Sequence, residues 1–313
     1  QMGLIEHRQL IILGAGPAGL SAAIYAARAE LKPLVITGMV LYGQASLTHT
    51  IENYPGFPNG IGGMQLGQLF EEQAKAFGAE FVFDEVQAVD LSKHPYMVSV
   101  YGGDYTTDAL IIAMGANNTR LNVPGEEEFI GRGVSYCGTC DGWFYKDKDI
   151  HVVGGGDSAL EEAIFLTRFA HSVTIIHRRD TLRAGAILEN RARTNPKIGF
   201  IFDTVVKEIR GDEGVNELLV ENVKTGGKSI IPTDGLFIFI GHSPNTKFFE
   251  GQLALEPGGT IKINEHMETT KKSVFAAGEI ADPHFRQVVT SAGMGAAAAI
   301  SATHCLETMS CGL

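Results

Sequence analysis

Cysteine is scarce, with 4 among 313 residues, far too few for the disulfide framework of a small secreted domain. The one close pair, Cys137 and Cys140, is joined by no second CxxC and no nearby CxxxH, so the four ligands of a structural zinc site are lacking. Cys305 reads as a core thiol and Cys311 as part of a terminal tail. Positive charge is short as well: 25 Lys and Arg stand against 36 Asp and Glu, for a net charge of −11. A surface of that sign repels phosphate backbones and anionic lipid, which argues against nucleic-acid and membrane-surface partners. No apolar run nears the roughly 18 residues of a membrane span, and nothing follows signal-peptide order. The expectation is a cytoplasmic protein, with Gln1 to Gly3 a cloning scar outside the fold. Apolar residues make up 44% and charged residues 19%, a balance that packs rather than remains disordered. The length predicts two domains, at roughly 100–200 residues each.

Glycine is plentiful, 38 residues, and it clusters. Leu10 to Leu13 reads as a strand, Gly14-Ala15-Gly16-Pro17-Ala18-Gly19 as a tight turn, and Leu20 to Ala29 as a helix leading to a second strand at Pro33 to Thr37. In that setting Gly14 permits the turn, Gly16 lets backbone approach a pyrophosphate and Gly19 allows close helix packing. The pattern recurs: strand Ile150 to Val153, then Gly154-Gly155-Gly156-Asp157-Ser158-Ala159, a helix over Leu160 to Ala170 and a strand Val173 to Ile176. After that strand the usual acidic residue for a ribose hydroxyl is absent and His177-Arg178-Arg179 stands in its place, with Arg183 close behind. Guanidinium groups grip a 2′-phosphate, so the second site favours NADPH.

The second unit lies between two hinge-like stretches, 113–121 and 241–247. The fold class is α/β with two Rossmann-like dinucleotide-binding domains, the second inserted in the first: residues 1–115 and 244–313 for the first, 116–243 for the second. A small-residue helix from about Arg286 to Leu306 completes the outer domain.

Cys137-Gly138-Thr139-Cys140-Asp141 falls in the inserted domain. A CxxC at a helix start makes a reversible disulfide and a reactive thiolate, and the adjacent Asp141 is placed to move the proton. A hydride donor and a dithiol need an intermediary, and a flavin accepts hydride and passes electrons to sulfur, so the first site is expected to hold FAD. The competing readings are a reductase fed by ferredoxin, an oxidase of small dithiols that uses oxygen, and a nucleotide-binding redox sensor without turnover. The arginine run weighs against the first two.

With these residues in view, the chain resembles the low-molecular-weight, bacterial-type thioredoxin reductases over nearly its whole length. The resemblance is carried by GAGPAGLSAAIYAAR, ENYPGF, CGTCDG, VVGGGDSALEEA, HRRDTLR, IGHSPNT and FAAGEIADPHFRQVVTSAGMG. It implies a homodimer whose two domains rotate between half-reactions, with electrons running from NADPH to FAD to dithiol to thioredoxin. It implies that Cys140 faces the flavin, that Cys137 attacks thioredoxin and that Asp141 is the general acid. For FAD it points to Gly14, Gly16, Ala18, Gln44, Asn53, Gly278, Glu279, Arg286, Gln287 and Ser291. For NADPH it points to Gly156, Asp157, Ser158, His177, Arg178, Arg179 and Arg183. Departures from the family pattern are Tyr42 and Ala45 around the Gly-Gln, Leu47 and His49 in a Thr-rich stretch, Glu279 for Asp, and Met114 for Thr, the last read as packing.

Overall fold

Leu10, Ile11, Ile12 and Leu13 have no exposed surface, and a strand buried on both faces belongs inside a parallel sheet covered by helices. The computed structural model describes residues 5–48 and 50–310, so Gln1 to Gly3, His49 and Cys311 lie outside the described residues. The chain begins β1 (Glu6–Leu13), α1 (Pro17–Arg28), β2 (Leu34–Ile36), α2 (Gly63–Ala76), β3 (Glu80–Val82), β4 (Val86–Asp90), β5 (Tyr96–Val100), β6 (Gly103–Ile112) and β7 (Ala116–Asn118). It continues through β8 (Val134–Ser135), α3 (Gly138–Asp141), β9 (Asp149–Val153), α4 (Asp157–Leu166), β10 (Ser172–Ile176), α5 (Ala186–Thr194), β11 (Ile198–Ile201), β12 (Thr204–Gly211), β13 (Val215–Asn222), β14 (Lys228–Pro232) and β15 (Gly235–Ile238). It returns through β16 (His242–Pro244), β17 (Val274–Ala276) and α6 (Val288–Ser310).

Two compact units result, one of residues up to Asn117 and from Ser243 onward, the other Asn118–His242. The first is built on a sheet ordered β3-β2-β1-β6-β5-β4, with β17 also on β6. Strand β6 serves two neighbours on one side: its first half pairs antiparallel with β5 and its last three residues pair parallel with β17. The strand β17 thus reaches the C-terminal end of β1 and β6, where ligands bind in sheets of this kind. Helix α6 lies against α1 so closely that a Cβ on Gly295 would collide with the Ala18 carbonyl. The second unit carries a wholly parallel sheet, β11-β10-β9-β15-β8, and an antiparallel one, β12-β13-β14.

The same local grammar is written in both units. Gly14 N–H donates to Ile36 O at 2.8 Å, and Gly154 N–H donates to Ile176 O at 3.2 Å. Each bond closes the turn after a first strand onto the end of the second.

The expected elements are present, with shifted ends. Helix α1 starts at Pro17, because Pro suits a first helical position. Helix α4 is Asp157–Leu166 and not 160–170, since the glycine run itself opens it. Helix α6 begins two residues after Arg286, whose φ of +50° is incompatible with a right-handed helix. The chain passes between units at Asn117–Asn118 and His242–Ser243, against the expected 115–116 and 243–244. Strands β7 and β16 pair with each other there. Among the described residues no helix is long and apolar enough to cross a membrane.

Candidate active site

In the first unit, Gly14 sits at φ +100° with Ala113 O where a side chain would go, so only glycine fits. Gly16 is different: a Cβ there would meet nothing within 4 Å. The backbone therefore faces open space just where α1 begins, and no side chain caps that helix. Its first N–H groups and dipole are left for an anion. The turn at 43–47 closes in on the same place, as a Cβ on Gly43 would stand 3.3 Å from Gly16 Cα. Ala18, Gly278 and Ser291 converge, since a Cβ on Gly278 would lie 2.9 Å from Ala18 Cβ and 3.6 Å from Ser291 Oγ. Gln44 Nε2 donates to Asn117 Oδ1 at 3.3 Å and Asn53 Nδ2 to Gln287 Oε1 at 3.2 Å. Glu279 and Arg286 are half-buried on the loop that follows Gly278. An uncapped helix start, an open approach over Gly16 and this ring of amides fit a dinucleotide.

The sequence reading missed three residues here. Asp282, only 5% exposed, accepts from the N–H groups of His284, Phe285 and Arg286 at 2.9–3.0 Å and shapes the loop that carries Arg286 and Gln287. Its Asp-Pro dipeptide was the available signal. Asn117 and Asn245 join Gln44 to the chain crossings: Asn117 Nδ2 donates to Asn245 Oδ1 at 3.0 Å, and Asn245 Nδ2 to Met114 O at 2.8 Å. No local pattern announces such a pair.

The departures from the family pattern have structural partners. Tyr42 holds φ +61° and lays its ring where a side chain on Gly67 of α2 would be, while its hydroxyl donates to Glu71 Oε2 at 2.6 Å. Burial, then the bond to Glu71, pushes the phenol up to about 12. The Ala45 carbonyl sits against Gly63, and Leu47 is exposed. Met114 is partly buried against the core cluster that includes residues of β1, β5, β6 and β17, as expected of a gap filler.

In the second unit, Gly156 repeats Gly16: nothing lies within 4 Å of its would-be Cβ, and α4 has no side-chain cap. Asp157 Oδ1 accepts from Gly185 N–H at 2.7 Å, and Gly155 O accepts from Arg183 N–H at 2.7 Å. The glycine turn and the arginine loop are thereby tied together. The side chains of Arg178, Arg179 and Arg183 are exposed, with no hydrogen-bond or ion-pair partner among the described residues. Ser158 is exposed on the first turn of α4. His177 is placed differently from the arginines that follow it. Its ring is turned inward, 5% exposed, over Gly155, and its Nε2 lies 3.0 Å from Thr181 O. Burial lowers its pKa below the ordinary value, the bond to Thr181 O opposes that shift, and the three neighbouring arginines add to it. His177 thus braces the loop between Gly155 and Thr181.

Cys137 and Cys140 form a disulfide at the start of α3. Cys137 is the N-cap: its Sγ accepts from Cys140 N–H at 3.2 Å. Such a donor stabilises a thiolate after reduction. Asp141 follows, its carboxyl held up by burial, with the Ser135 hydroxyl bond opposing that rise. The pair sits beside α4, where Gly138 leaves room that the Glu162 carboxylate fills. Cys305 packs against the α1–α6 core, and burial pushes its thiol up. Among the described residues no cluster of His, Cys, Asp or Glu could hold a metal.

The comparisons with known proteins agree with these parts. The family described as pyridine nucleotide-disulphide oxidoreductase matches residues 8–295. A curated thioredoxin reductase from Streptomyces coelicolor (strain ATCC BAA-471 / A3(2) / M145) is 48% identical, over 97% of this chain and 96% of its own. The crystal structure of thioredoxin reductase from Streptococcus pyogenes MGAS5005 is 42% identical with a TM-score of 0.93, covering 96% of this chain and 99% of that one. Lactococcus lactis thioredoxin reductase in its FR conformation is 40% identical at the same coverages, with a TM-score of 0.64. Two dinucleotide turns, a disulfide beside the second and a match along almost the full length lead to one assignment: the chain belongs to the pyridine nucleotide-disulphide oxidoreductase family.

Proposed function

We propose that this protein reduces the disulfide of a thioredoxin with electrons from NADPH, through FAD in the first unit and the Cys137–Cys140 pair in the second. The observation that carries the reading is the disulfide itself, formed on a helix start between a stabilising N–H and a half-buried carboxyl. When bound, the nicotinamide and flavin supply two-electron transfer to that disulfide. Everything else is done by the chain. The α1 N-terminus and Gly16 receive the FAD pyrophosphate, and the side chains of Gln44, Asn53 and Gln287 orient what lies beyond it. Gly156 and the start of α4 receive the NADPH pyrophosphate, and Arg178, Arg179 and Arg183 take the 2′-phosphate.

Once the pair is reduced, the Cys137 thiolate attacks one sulfur of oxidised thioredoxin. A mixed disulfide forms, thioredoxin's own S–S bond breaks, and the leaving sulfur takes a proton from Asp141. The Cys140 thiol returns its proton to Asp141 and its thiolate attacks Cys137, which restores the internal disulfide and expels thioredoxin's second sulfur, protonated from solvent. Two electrons and two protons have moved to thioredoxin.

The pair must meet the flavin in one half-reaction and thioredoxin in the other, so the units alternate in position. The working form is a homodimer in the reducing cytoplasm, covering apolar groups such as Met39, Val40 and Leu41 that are exposed in the single chain.

Rapid mixing tests the reading. NADPH, and not equimolar NADH, bleaches the flavin, and catalytic NADPH consumption follows once thioredoxin is added. Absence of bleaching returns the protein to a ferredoxin-fed reductase, and stoichiometric thiol change without turnover to a redox sensor.

A further inference from the structure

Helix α3 has four residues, too few to fix a catalytic group by its own hydrogen bonds. Its one backbone bond to the cap, Asp141 N–H to Cys137 O, is 3.2 Å long. Something outside the helix must hold Asp141, and a single side chain does. Ser135 ends β8, is 4% exposed and is in register with fully buried Phe237 of β15. Its Oγ donates to Asp141 Oδ2 at 2.6 Å and accepts from Cys137 N–H at 3.1 Å. The same Oγ lies 3.3 Å from Cys137 O.

A hydroxyl has one proton to donate and two lone pairs that accept. Here it faces two acceptors, the Asp141 carboxylate and the Cys137 carbonyl. While Asp141 is ionised, the charged oxygen takes the hydroxyl proton, because charge-assisted bonds are the stronger. Once Asp141 is protonated, its own O–H donates to Ser135 Oγ, and the serine proton turns to Cys137 O. Every partner stays satisfied in both states, and the change is felt on the backbone of the attacking cysteine.

We propose that Ser135 is a positioning residue for thiol exchange: from the edge of the parallel sheet it holds the Asp141 carboxyl and the Cys137 backbone as one unit and relays the protonation state of one to the other. The inference rests on the reading of Asp141 as the proton donor. The other ionisable groups about Asp141 are Tyr145, whose phenol is raised by burial and then by the Asp141 charge, and the Cys137–Cys140 pair itself; Glu162 of α4 lies against Gly138, the first residue of the same helix. Among the described residues, Ser135 Oγ alone is hydrogen-bonded to both the Asp141 carboxyl and the Cys137 N–H.

The experiment uses the flavin-loaded protein and follows kcat/KM for thioredoxin against pH in the parent, Ser135→Ala, Ser135→Thr and Asp141→Asn, with flavin content and reduction of that flavin by NADPH as the folding controls for the first and second units. Removing the donor to an ionised carboxylate makes the proton harder to lose. Ser135→Ala is expected to move the carboxyl limb of the profile to higher pH and to lower kcat/KM roughly 10–100-fold, and Ser135→Thr, which keeps the hydroxyl, to restore both. If Ser135→Ala fails either control, Ser135→Cys, of similar size and weaker as a donor, takes its place. A parental profile in the serine variant alongside a limb abolished in Asp141→Asn overturns the role of Ser135 and leaves that of Asp141 standing. An unchanged profile in Asp141→Asn overturns both.

Discussion

The His177 ring occupies the space that any side chain on Gly155 would need, so the first residue of the arginine run is seated on the glycine turn. Gly155 also accepts the Arg183 N–H. One peptide thus supports the loop at both ends. Gly155→Ala must push the ring outward, and overpacking of this kind costs about 1–3 kcal/mol. The expected outcome is NADPH binding weakened by about tenfold with flavin content unchanged, measured by titration of the flavin-loaded protein. Parental NADPH affinity in the variant contradicts the bracing role.

The three exposed guanidinium groups make a sharper test of cofactor choice. NADPH and NADH differ only in the 2′-phosphate, so replacing Arg178, Arg179 and Arg183 by neutral residues is expected to cost NADPH on the order of 100-fold and NADH little. The parental preference is also expected to shrink as salt rises, because exposed charges are screened. Equal losses for both nucleotides would place the phosphate elsewhere.

Much of this site was legible because sterics write themselves into sequence. Gly14 and Gly19 are glycine because carbonyl oxygens stand where side chains would be, and Leu10–Leu13 is uniformly apolar because it is buried on both faces. The inward turn of His177 was not legible. A histidine next to two arginines reads as a third cation until the packing on Gly155 is seen. Asp282 and the Asn117–Asn245 pair were hidden for a related reason: each bonds backbone or amides brought together by the tertiary fold, and no spacing rule encodes that. The start of α6 was misplaced because the positive φ of Arg286 is imposed by three bonds to Asp282 in the loop and not by any helix-stop residue.

The Asp141 carboxyl carries a stability cost that depends on pH. Burial raises its carboxyl above the ordinary value of 3.8, so the folded protein keeps the proton to a higher pH than the unfolded chain does. Where the folded state binds more protons, stability falls as pH rises. The penalty is absent below the ordinary carboxylate range, grows as pH climbs through the interval up to the raised value, and is complete above it. Asp141→Asn removes it while keeping an oxygen for Ser135. Thermal melts are expected to show the variant more stable by on the order of 1 kcal/mol near neutrality, with the gap closing as pH falls into the acid range. Exchange with thioredoxin is expected to fall by roughly 100-fold or more in the same variant. A variant less stable than the parent at every pH would mean that hydrogen bonding outweighs desolvation at this carboxyl.

Tyr42 and Gly67 form a complementary pair beside the turn at 43–47, and a double-mutant cycle exposes it. Tyr42 stands at φ +61°, a strain that glycine would relieve by about 1 kcal/mol, yet its ring packs over α2 and its hydroxyl bonds Glu71, which also pairs with Lys75. The lost packing and hydrogen bond outweigh the relieved strain, since truncating an aromatic costs about 3 kcal/mol when buried and somewhat less at this half-buried position. Tyr42→Gly is therefore expected to destabilise the first unit and to speed loss of flavin. Gly67→Ala alone drives a methyl into the Tyr42 ring and is expected to cost about 1–3 kcal/mol. In the Tyr42→Gly background the obstacle is gone, and alanine inside a helix is preferred to glycine by about 1 kcal/mol. The same substitution thus changes sign, from destabilising to stabilising, and thermal melts of the four proteins measure it. Additive effects across the cycle would show that the ring and the glycine do not share the space.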